Sequence, residues 1–157
     1  MTNQTLSILF PAAVRERILE QHRALRDLLQ RALEATTNSL RAGRPNLDAI
    51  ARLIHDLRAR FRAHLAFEEV ALAPVLAHLD LWGPERVQAL LAEHARQRAE
   101  LDTLVGGIEE AWDVERLAFA LRSLVTDLLL DMQEEERGCV SAGVLRDQMM
   151  MVGTMRE

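Results

Sequence analysis

The chain has 157 residues, of which 49% are hydrophobic and only 4% aromatic, and its formal net charge is −5. This length suits one domain with a sizeable core, and a composition dominated by Leu, Ala, Arg and Glu favours helices over a sheet. The negative charge, without any basic run, argues against nucleic acid as a partner, and the absence of lysine excludes Schiff-base chemistry.

Cysteine usage and hydropathy indicate the compartment. Cys139 is the only cysteine, so no internal disulfide can form, and a reducing compartment is the natural setting. No stretch approaches the roughly 18 apolar residues needed to span a bilayer, and residues 1–7 lack the basic region of an export signal. We therefore expect a cytoplasmic protein with no membrane partner, organised as a single domain over residues 1–157.

The first predicted helix follows an irregular lead-in at residues 1–10. Pro11 suits the first turn of a helix, and an apolar stripe with His22 in its middle extends that helix to about Thr36. Residues 36–45 then form a connection, and Asn46 is a good N-cap for the next helix. The stripe of the first helix is Val14, Ile18, Leu25 and Leu29.

In the second predicted helix, a histidine and a carboxylate interrupt the apolar stripe. His64 and Glu68 lie one turn apart on the same face. Burying such groups is costly unless something satisfies them, and a bound cation is the simplest candidate. Pro74, further along, should bend or locally break the helix. The stripe is Leu47, Ile50, Ile54, Leu57, Phe61, His64, Glu68, Ala71 and Val75.

The last two predicted helices follow the same plan. Pro84 opens the third helix, Gly106–Gly107 stop or loosen it, and Asp113 can cap the fourth. Asp131 and Glu135 interrupt the fourth stripe one turn apart. The third stripe is Val87, Leu91, His94, Leu101 and Leu104, and the fourth is Val114, Leu117, Leu121, Leu124, Leu128, Asp131, Glu135, Ala142 and Leu145.

The two halves of the chain match, helix by helix, when one is moved along the sequence by a fixed number of residues. Each half is therefore a helix pair with a lone histidine and a later x-x-x-Glu motif. Short turns between antiparallel neighbours, at about 1.5 Å of rise per residue, would bring all the polar groups to one layer. The sequence thus predicts an all-α, antiparallel up-down-up-down four-helix bundle over about residues 12–146. The corresponding pairs are His64 with Asp131 and Glu68 with Glu135 at a shift of 67, and His22 with His94 at a shift of 72.

Metal binding explains this polar layer. The two glutamates each lie one turn beyond another donor, a placement suited to bridging two ions in a helical bundle, and imidazole with carboxylate suits iron, manganese or zinc. Asp131 is the least certain donor, because it could instead pair with an arginine or hold a water, and Asp127 is an alternative one turn earlier. Glu69 and Glu136 point a quarter-turn away, so we expect them to support the ligands. The predicted metal ligands are His22, His64, Glu68, His94, Asp131 and Glu135.

Several other polar or sulfur-bearing residues fit simpler roles. His55 falls on the opposite face of its helix and should face solvent, whereas His78 suits a helix C-terminus. Cys139 fits a small buried hydrophobe better than a redox group or ligand. The Met-rich tail at residues 147–157 fits a frayed or partner-packed helix end better than a soft-metal site.

These residues together resemble the hemerythrin-like family, also called the HHE cation-binding domain, over about residues 12–146. The resemblance implies a four-helix bundle holding two non-haem iron ions, oxo- or hydroxo-bridged, that meet O₂ or a related small ligand. It implies four terminal ligands, His22, His64, His94 and Asp131, and two bridging carboxylates, Glu68 and Glu135. The matching pieces are Gln21-His22, His64 to Glu69 followed by Pro74, Glu93-His94, and Asp131 to Glu136.

The chain departs from that family pattern at two positions. Asp131 stands where the family usually has histidine, and Arg98 stands where oxygen-carrying hemerythrins have a second histidine. Anionic oxygen ligands in place of imidazoles should stabilise the ferric state of iron, which argues against reversible oxygen carriage. The replacement of histidine by Asp131 could also leave one ion weakly held.

Four functions remain open on this basis. The first is binding of O₂, NO or peroxide for sensing or redox response; the others are a di-iron enzyme that reduces peroxide or oxygen, iron handling, and a bundle whose site has decayed to a structural role. The chain has no tyrosine, no cysteine pair and no second domain for output, which favours binding over autonomous turnover. Exposed helix faces or the C-terminal tail are candidate contacts for a homodimer.

Overall fold

The computed structural model describes residues 10–43 and 46–147, which contain helices and no strand. The helices are α1 (Pro11–Ala42), α2 (Leu47–Phe67), α3 (Ala73–Ala77), α4 (Gly83–Glu109) and α5 (Val114–Arg137), with a π-helical turn at Glu68–Leu72 between α2 and α3. Since α2, this turn and α3 are continuous, the described chain forms four helical rods. The α1 helix packs on α2 and α5, and α4 packs on the same two, so the predicted four-helix bundle is confirmed.

The α1 helix continues past Thr36, so the prediction that residues 36–42 belong to the connection is wrong. Thr36 is buried, and its hydroxyl donates to the carbonyl of Ala32 at 2.8 Å, which satisfies it inside the helix. The helix ends at Gly43, whose φ of 62° is the left-handed conformation that glycine adopts at helix C-termini. Although α1 spans 32 residues, neither it nor any other helix in the described ranges has the length and apolar character that crossing a bilayer requires.

The boundaries of α2, α4 and α5 have local causes. Asn46 and Asp113 accept hydrogen bonds from backbone N–H groups in the first turns of α2 and α5, as predicted. Of the two alternatives predicted for Gly106–Gly107, a stop or a loosening of the helix, the stop is wrong, because α4 continues to Glu109. The second of these glycines instead leaves room for the ring of Trp112, which would lie 2.4 Å from a Cβ atom at that position.

Two hydrophobic clusters fill the bundle, one on each side of a polar layer. The larger cluster includes Leu25, Phe61 and Leu101, and the smaller one includes Ile18 and Leu72. Each long rod passes from one cluster to the other at the residues that the sequence analysis singled out. On α1, for example, His22 lies between Ile18 and Leu25. The site is therefore enclosed by apolar packing from above and below.

The π-helical turn changes the register of the second rod. The backbone N–H of Ala73 bonds to the carbonyl of Glu68, five residues earlier instead of four, so the turn contains one extra residue. Pro74 follows immediately, and the local break that the sequence predicts near it is present. Beyond the turn the buried face moves by one position, which corrects the predicted stripe. The buried residues here are Leu72 and Leu76 instead of Ala71 and Val75.

The chain leaves helical register after α5 as well. The helix ends at Arg137, so the predicted stripe is wrong at Ala142, which is exposed, while Val140 is fully buried in the smaller cluster. The N–H of Val140 bonds to the carbonyl of Glu135 at 2.8 Å, again across five residues. A wide turn therefore begins at the predicted bridging glutamate in each half of the chain.

Candidate metal centre

Four of the predicted site residues converge on one point inside the polar layer. Nε2 of His22 on α1 and Nε2 of His64 on α2 face the same oxygen, Oε1 of Glu68, at 3.9 and 3.3 Å. Glu135 on α5 brings its Oε2 to 3.2 Å from Nε2 of His22. One donor atom from each of these four residues lies within 4.8 Å of the others. Metal–ligand bonds of about 2 Å would let one ion reach donors at such separations.

Glu68 faces a further helix with its other oxygen. Its Oε2 lies 3.1 Å from Nε2 of His94 on α4, so the two carboxylate oxygens meet imidazoles from opposite sides. The side chains of Glu68, His22 and His94 are all fully buried. This geometry gives Glu68 access to two places for an ion, as a bridging ligand requires.

The unsatisfied atoms of the layer test whether a metal ion fits. Nε2 of His22, Oε1 of Glu68 and Oε2 of Glu135 are buried and have no hydrogen-bond partner among residues 10–43 and 46–147. Each such atom costs about 1–3 kcal/mol, and charged groups cost more. A cation among them would remove that cost, and mixed imidazole and carboxylate donors suit iron, manganese or zinc. The residues present therefore fit a metal centre.

The outer nitrogen of each of the three imidazoles is held by a side-chain oxygen. A proton kept on Nδ1 leaves the lone pair of Nε2 free to bind a metal ion, and it fixes the orientation of the ring. Glu69 and Glu136 therefore lie behind histidines, which is the supporting role expected from the sequence. The pairs are His22 with Glu136 at 2.8 Å, His64 with Gln21 at 2.8 Å, and His94 with Glu69 at 2.9 Å.

Arginines hold both of these outer carboxylates. Arg98 donates to the two oxygens of Glu69 at 2.7 and 3.0 Å, and Arg26 contacts Glu136 at 2.8 Å. Arg26 and Arg98 are 72 positions apart, the same shift that relates the histidines of α1 and α4. The two Arg–Glu–His chains are thus equivalent in the two halves. Sequence analysis saw in Arg98 only a missing histidine and overlooked this role.

Burial and neighbouring charges set the protonation of the layer. The pKa of His64 is lowered to about 3, first by burial and then by the other two histidines. Burial also disfavours charge on His22 and His94, but the carboxylates around them outweigh it, and the pKa of each is raised. Burial raises the pKa of Glu135, which His22 partly offsets. Metal binding would therefore compete with protons.

Asp131 lies next to the four-residue cluster and not within it. Its Oδ2 accepts a 2.6 Å hydrogen bond from Nε2 of Gln97, and not from an arginine. Burial, and then the charge of Glu135, raise the pKa of Asp131 to about 6. Two neighbouring carboxylates in a bundle repel each other, which a cation would relieve. Asp127, the predicted alternative donor, is exposed on the outer surface.

Gln97 belongs to the polar layer and was missed from the sequence. It is 1% exposed, on the inward face of α4 one turn after His94. The predicted stripe left a step of seven positions from His94 to Leu101, and helical spacing demands an inward residue within such a step. The same stripe is wrong at Leu91, which is 42% exposed, because Leu90 occupies the inward position.

The remaining candidates lie away from the layer. His55 is exposed, as predicted, and Nδ1 of His78 donates to the carbonyl of Pro74 at 2.8 Å near the end of α3. Cys139 is partly buried against the smaller cluster, and burial, followed by nearby carboxylates, raises the pKa of its thiol to about 12. Such a thiol is not a ready nucleophile at neutral pH. The methionines of the tail lie outside the described residues.

A bundle with a buried imidazole and carboxylate layer defines a helical metal-binding protein. The family model of the hemerythrin HHE cation binding domain matches residues 13–141. The chain therefore belongs to the hemerythrin HHE cation-binding family, as the resemblance in its sequence implied. No curated protein and no solved structure matches it. Membership of this family, together with the buried cluster, assigns the domain to metal-ion binding.

Proposed function

We propose that this domain holds two non-haem iron ions and binds O₂ or a related small ligand, such as NO or peroxide, for sensing or redox response. The observation that carries the proposal is the set of three buried donor atoms, from His22, Glu68 and Glu135, that have no hydrogen-bond partner in the described part of the chain. The proposed terminal ligands are His22, His64, His94 and Asp131, and the proposed bridges are Glu68 and Glu135.

The surrounding residues prepare the layer for this role. Each Arg–Glu–His chain keeps a proton on Nδ1 and directs Nε2 inward, so the imidazoles are oriented before an ion arrives. The two hydrophobic clusters keep bulk water out, which strengthens electrostatic attraction within the layer. When bound, the irons would supply a redox-active Lewis-acid centre for a small ligand.

A cleft between α1 and α2 supports a ligand of a few atoms. Its volume is about 170 Å³, and its lining includes His64 and two small side chains, Ala24 and Ala63. Sites for drug-sized molecules are commonly about 300–1,000 Å³, so this cleft suits a diatomic or triatomic ligand better than an organic substrate. The absence of tyrosine and of a cysteine pair favours binding over autonomous turnover.

Metal analysis of matched variants tests the ligand assignment. We expect two irons per chain in the wild type, a clear loss of iron in Glu68→Ala, and no loss in His55→Ala, because His55 is exposed on the same rod. Glu68→Ala should also melt several degrees lower when iron is present, since bound metal stabilises the native state. Equal iron content in the two variants would contradict the assignment.

Ligand binding is tested on the reduced, iron-loaded protein. A reversible change of the optical spectrum with O₂ or NO supports a binding module, whereas sustained consumption of peroxide would point to an enzyme. Iron handling is the second candidate, favoured by a polar cleft of about 390 Å³ between α4 and α5 that includes Asp131. A stable wild type that takes up no metal would point instead to a purely structural bundle.

A further inference from the structure

Gln97 has a buried side-chain amide whose nitrogen and oxygen differ in their hydrogen bonding. Its Nε2 donates to Oδ2 of Asp131 at 2.6 Å and to Oε1 of Glu93 at 3.3 Å. Its Oε1 is buried and has no hydrogen-bond partner within the residues that the structure describes. A leucine there would avoid the cost of burying an amide, so packing does not account for the residue. Its environment points to a polar role beside Asp131.

The two halves of the bundle differ at this contact. The shift of 72 pairs Gln97 with Leu25, an ordinary core residue that is 3% exposed, and the shift of 67 pairs Asp131 with His64. The first half therefore has leucine and histidine where the second half has glutamine and aspartate. The side chain of Asp131 is shorter than that of a histidine, so its carboxylate reaches less far. The amide of Gln97 holds this carboxylate by one oxygen. The two replacements thus form a matched pair.

The clefts beside the two halves differ in charge. The polar cleft between α4 and α5 contains four carboxylates and one arginine, a surrounding that attracts cations. By contrast, the smaller cleft beside His64, between α1 and α2, is lined by an arginine and by no carboxylate of the described residues. An ion held beside Asp131 would thus be near an acidic opening to solvent. The cleft is lined by Glu93, Arg96, Asp127, Leu130, Asp131 and Glu134.

We propose that Gln97 is a positioning residue that fixes Asp131 as an oxygen donor of the second metal position, the one beside His94, and that this position exchanges its ion with solvent. The ion would pass through the cleft between α4 and α5. The first position, beside His22 and His64, keeps its ion. This inference rests on the proposed two-iron function and gives the two positions different roles. One is a retained ion, and the other is an ion that the chain can load and release.

The test is the release of iron to an excess of a coloured ferrous chelator, under anaerobic reducing conditions, from the full chain. We expect the wild type to lose about half of its iron in a fast phase and half in a slow one. Gln97→Met keeps the size of the side chain and removes the amide, so it should bind the second equivalent of iron about 10–100-fold more weakly. Once loosely bound iron has been removed before the assay, this variant should retain about one iron per chain and release it in the slow phase alone. Leu25→Met, at the equivalent position of the first half, should release iron as the wild type does.

The possible results separate this inference from the function on which it rests. A wild type that binds no iron overturns the proposed function. Two irons that leave the wild type in a single phase, or two phases that persist unchanged in Gln97→Met, overturn only this inference. Unfolding of the metal-free variants shows whether Gln97→Met has lost its fold. If it has, Gln97→Asn takes its place, because asparagine keeps the amide but is too short to hold Asp131 as Gln97 does; a wild-type pattern of release in that variant would overturn the inference.

Discussion

His22 on α1 and Glu135 on α5 bring Nε2 and Oε2 to 3.2 Å from each other, and neither atom has a hydrogen-bond partner in the described ranges of the chain. The two residues are far apart in the chain, so this contact arises from assembly of the bundle and not from local structure. Packing of the two hydrophobic clusters forces polar groups together that do not satisfy one another. Folding without a cation therefore carries an electrostatic cost, and stability should depend on metal.

The first prediction concerns Glu68→Leu. The metal-free variant should be less stable than the metal-free wild type by about 3–5 kcal/mol, because Nε2 of His94 loses the carboxylate oxygen that lies 3.1 Å away. With iron present the difference should widen, since only the wild type gains the full binding free energy. Urea unfolding with and without a chelator measures both differences. An equal difference under the two conditions would mean that Glu68 has no part in holding metal.

The second prediction concerns the two arginines behind the histidines. Arg26→Leu and Arg98→Leu should each weaken iron binding about 10–100-fold, because each releases a carboxylate that orients an imidazole. Arg58→Leu is the control, since Arg58 pairs only with Asp102 on the surface. Competition with a chelator of known affinity measures the effect. If all three variants behaved alike, the Arg–Glu–His chains would have no role in metal binding.

The third prediction concerns acid stability of the metal-free chain. The folded pKa of His64 is lowered to about 3 from an ordinary value of 6.5, so between these values the unfolded chain binds more protons. The stability that this group contributes is present above pH 6.5 and is lost as pH falls. At pH 5 the wild type should have lost about 2 kcal/mol that His64→Gln retains. Urea unfolding in chelator at pH 7.5 and pH 5 measures this, and parallel losses in both proteins would refute it.

The fourth prediction concerns the cleft between α1 and α2. Ala63→Phe should fill part of its volume of about 170 Å³ and slow the association of NO with the iron-loaded protein, without changing the iron content. Ala63 is exposed on its helix, so the larger ring should be tolerated. Ala92→Phe, at an exposed position of α4, is the matched control. Stopped-flow spectroscopy gives the rates, and identical rates in both variants would mean that NO arrives by another path.

Much of this fold could be predicted from hydrophobic spacing alone, because long amphipathic helices repeat their pattern over many turns. The convergence of His22, His64, Glu68 and Glu135 also followed from spacing, since each interrupts a stripe near the same level. Ala71 and Val75 were misplaced because an ideal helical period assumes four-residue hydrogen bonds, and the π-helical turn departs from them. No pattern in the sequence fixes such a turn by itself.

Residues of the polar layer that have a neutral side chain were harder to predict from the sequence. Gln97 is neither an obvious ligand nor an apolar residue, so nothing in its type distinguished it from a surface glutamine. Arg98 drew attention instead, because it occupies a familiar histidine position. Only the packed helices reveal that Arg98 turns towards Glu69 and that Gln97 turns towards Asp131.

The wide turn that begins at Glu68 absorbs one residue more than an α-helix would hold. Deleting one residue from 69–71 would therefore restore ordinary helical hydrogen bonds and keep Leu72 and Leu76 inside, because they would become the third and seventh residues after Glu68. The same deletion in the middle of α2 would instead rotate the residues that follow it by about 100° and turn Glu68 away from the other donors. A chain shortened by one residue should thus keep its fold and its donors more readily when the missing residue comes from the π-helical turn than when it comes from α2.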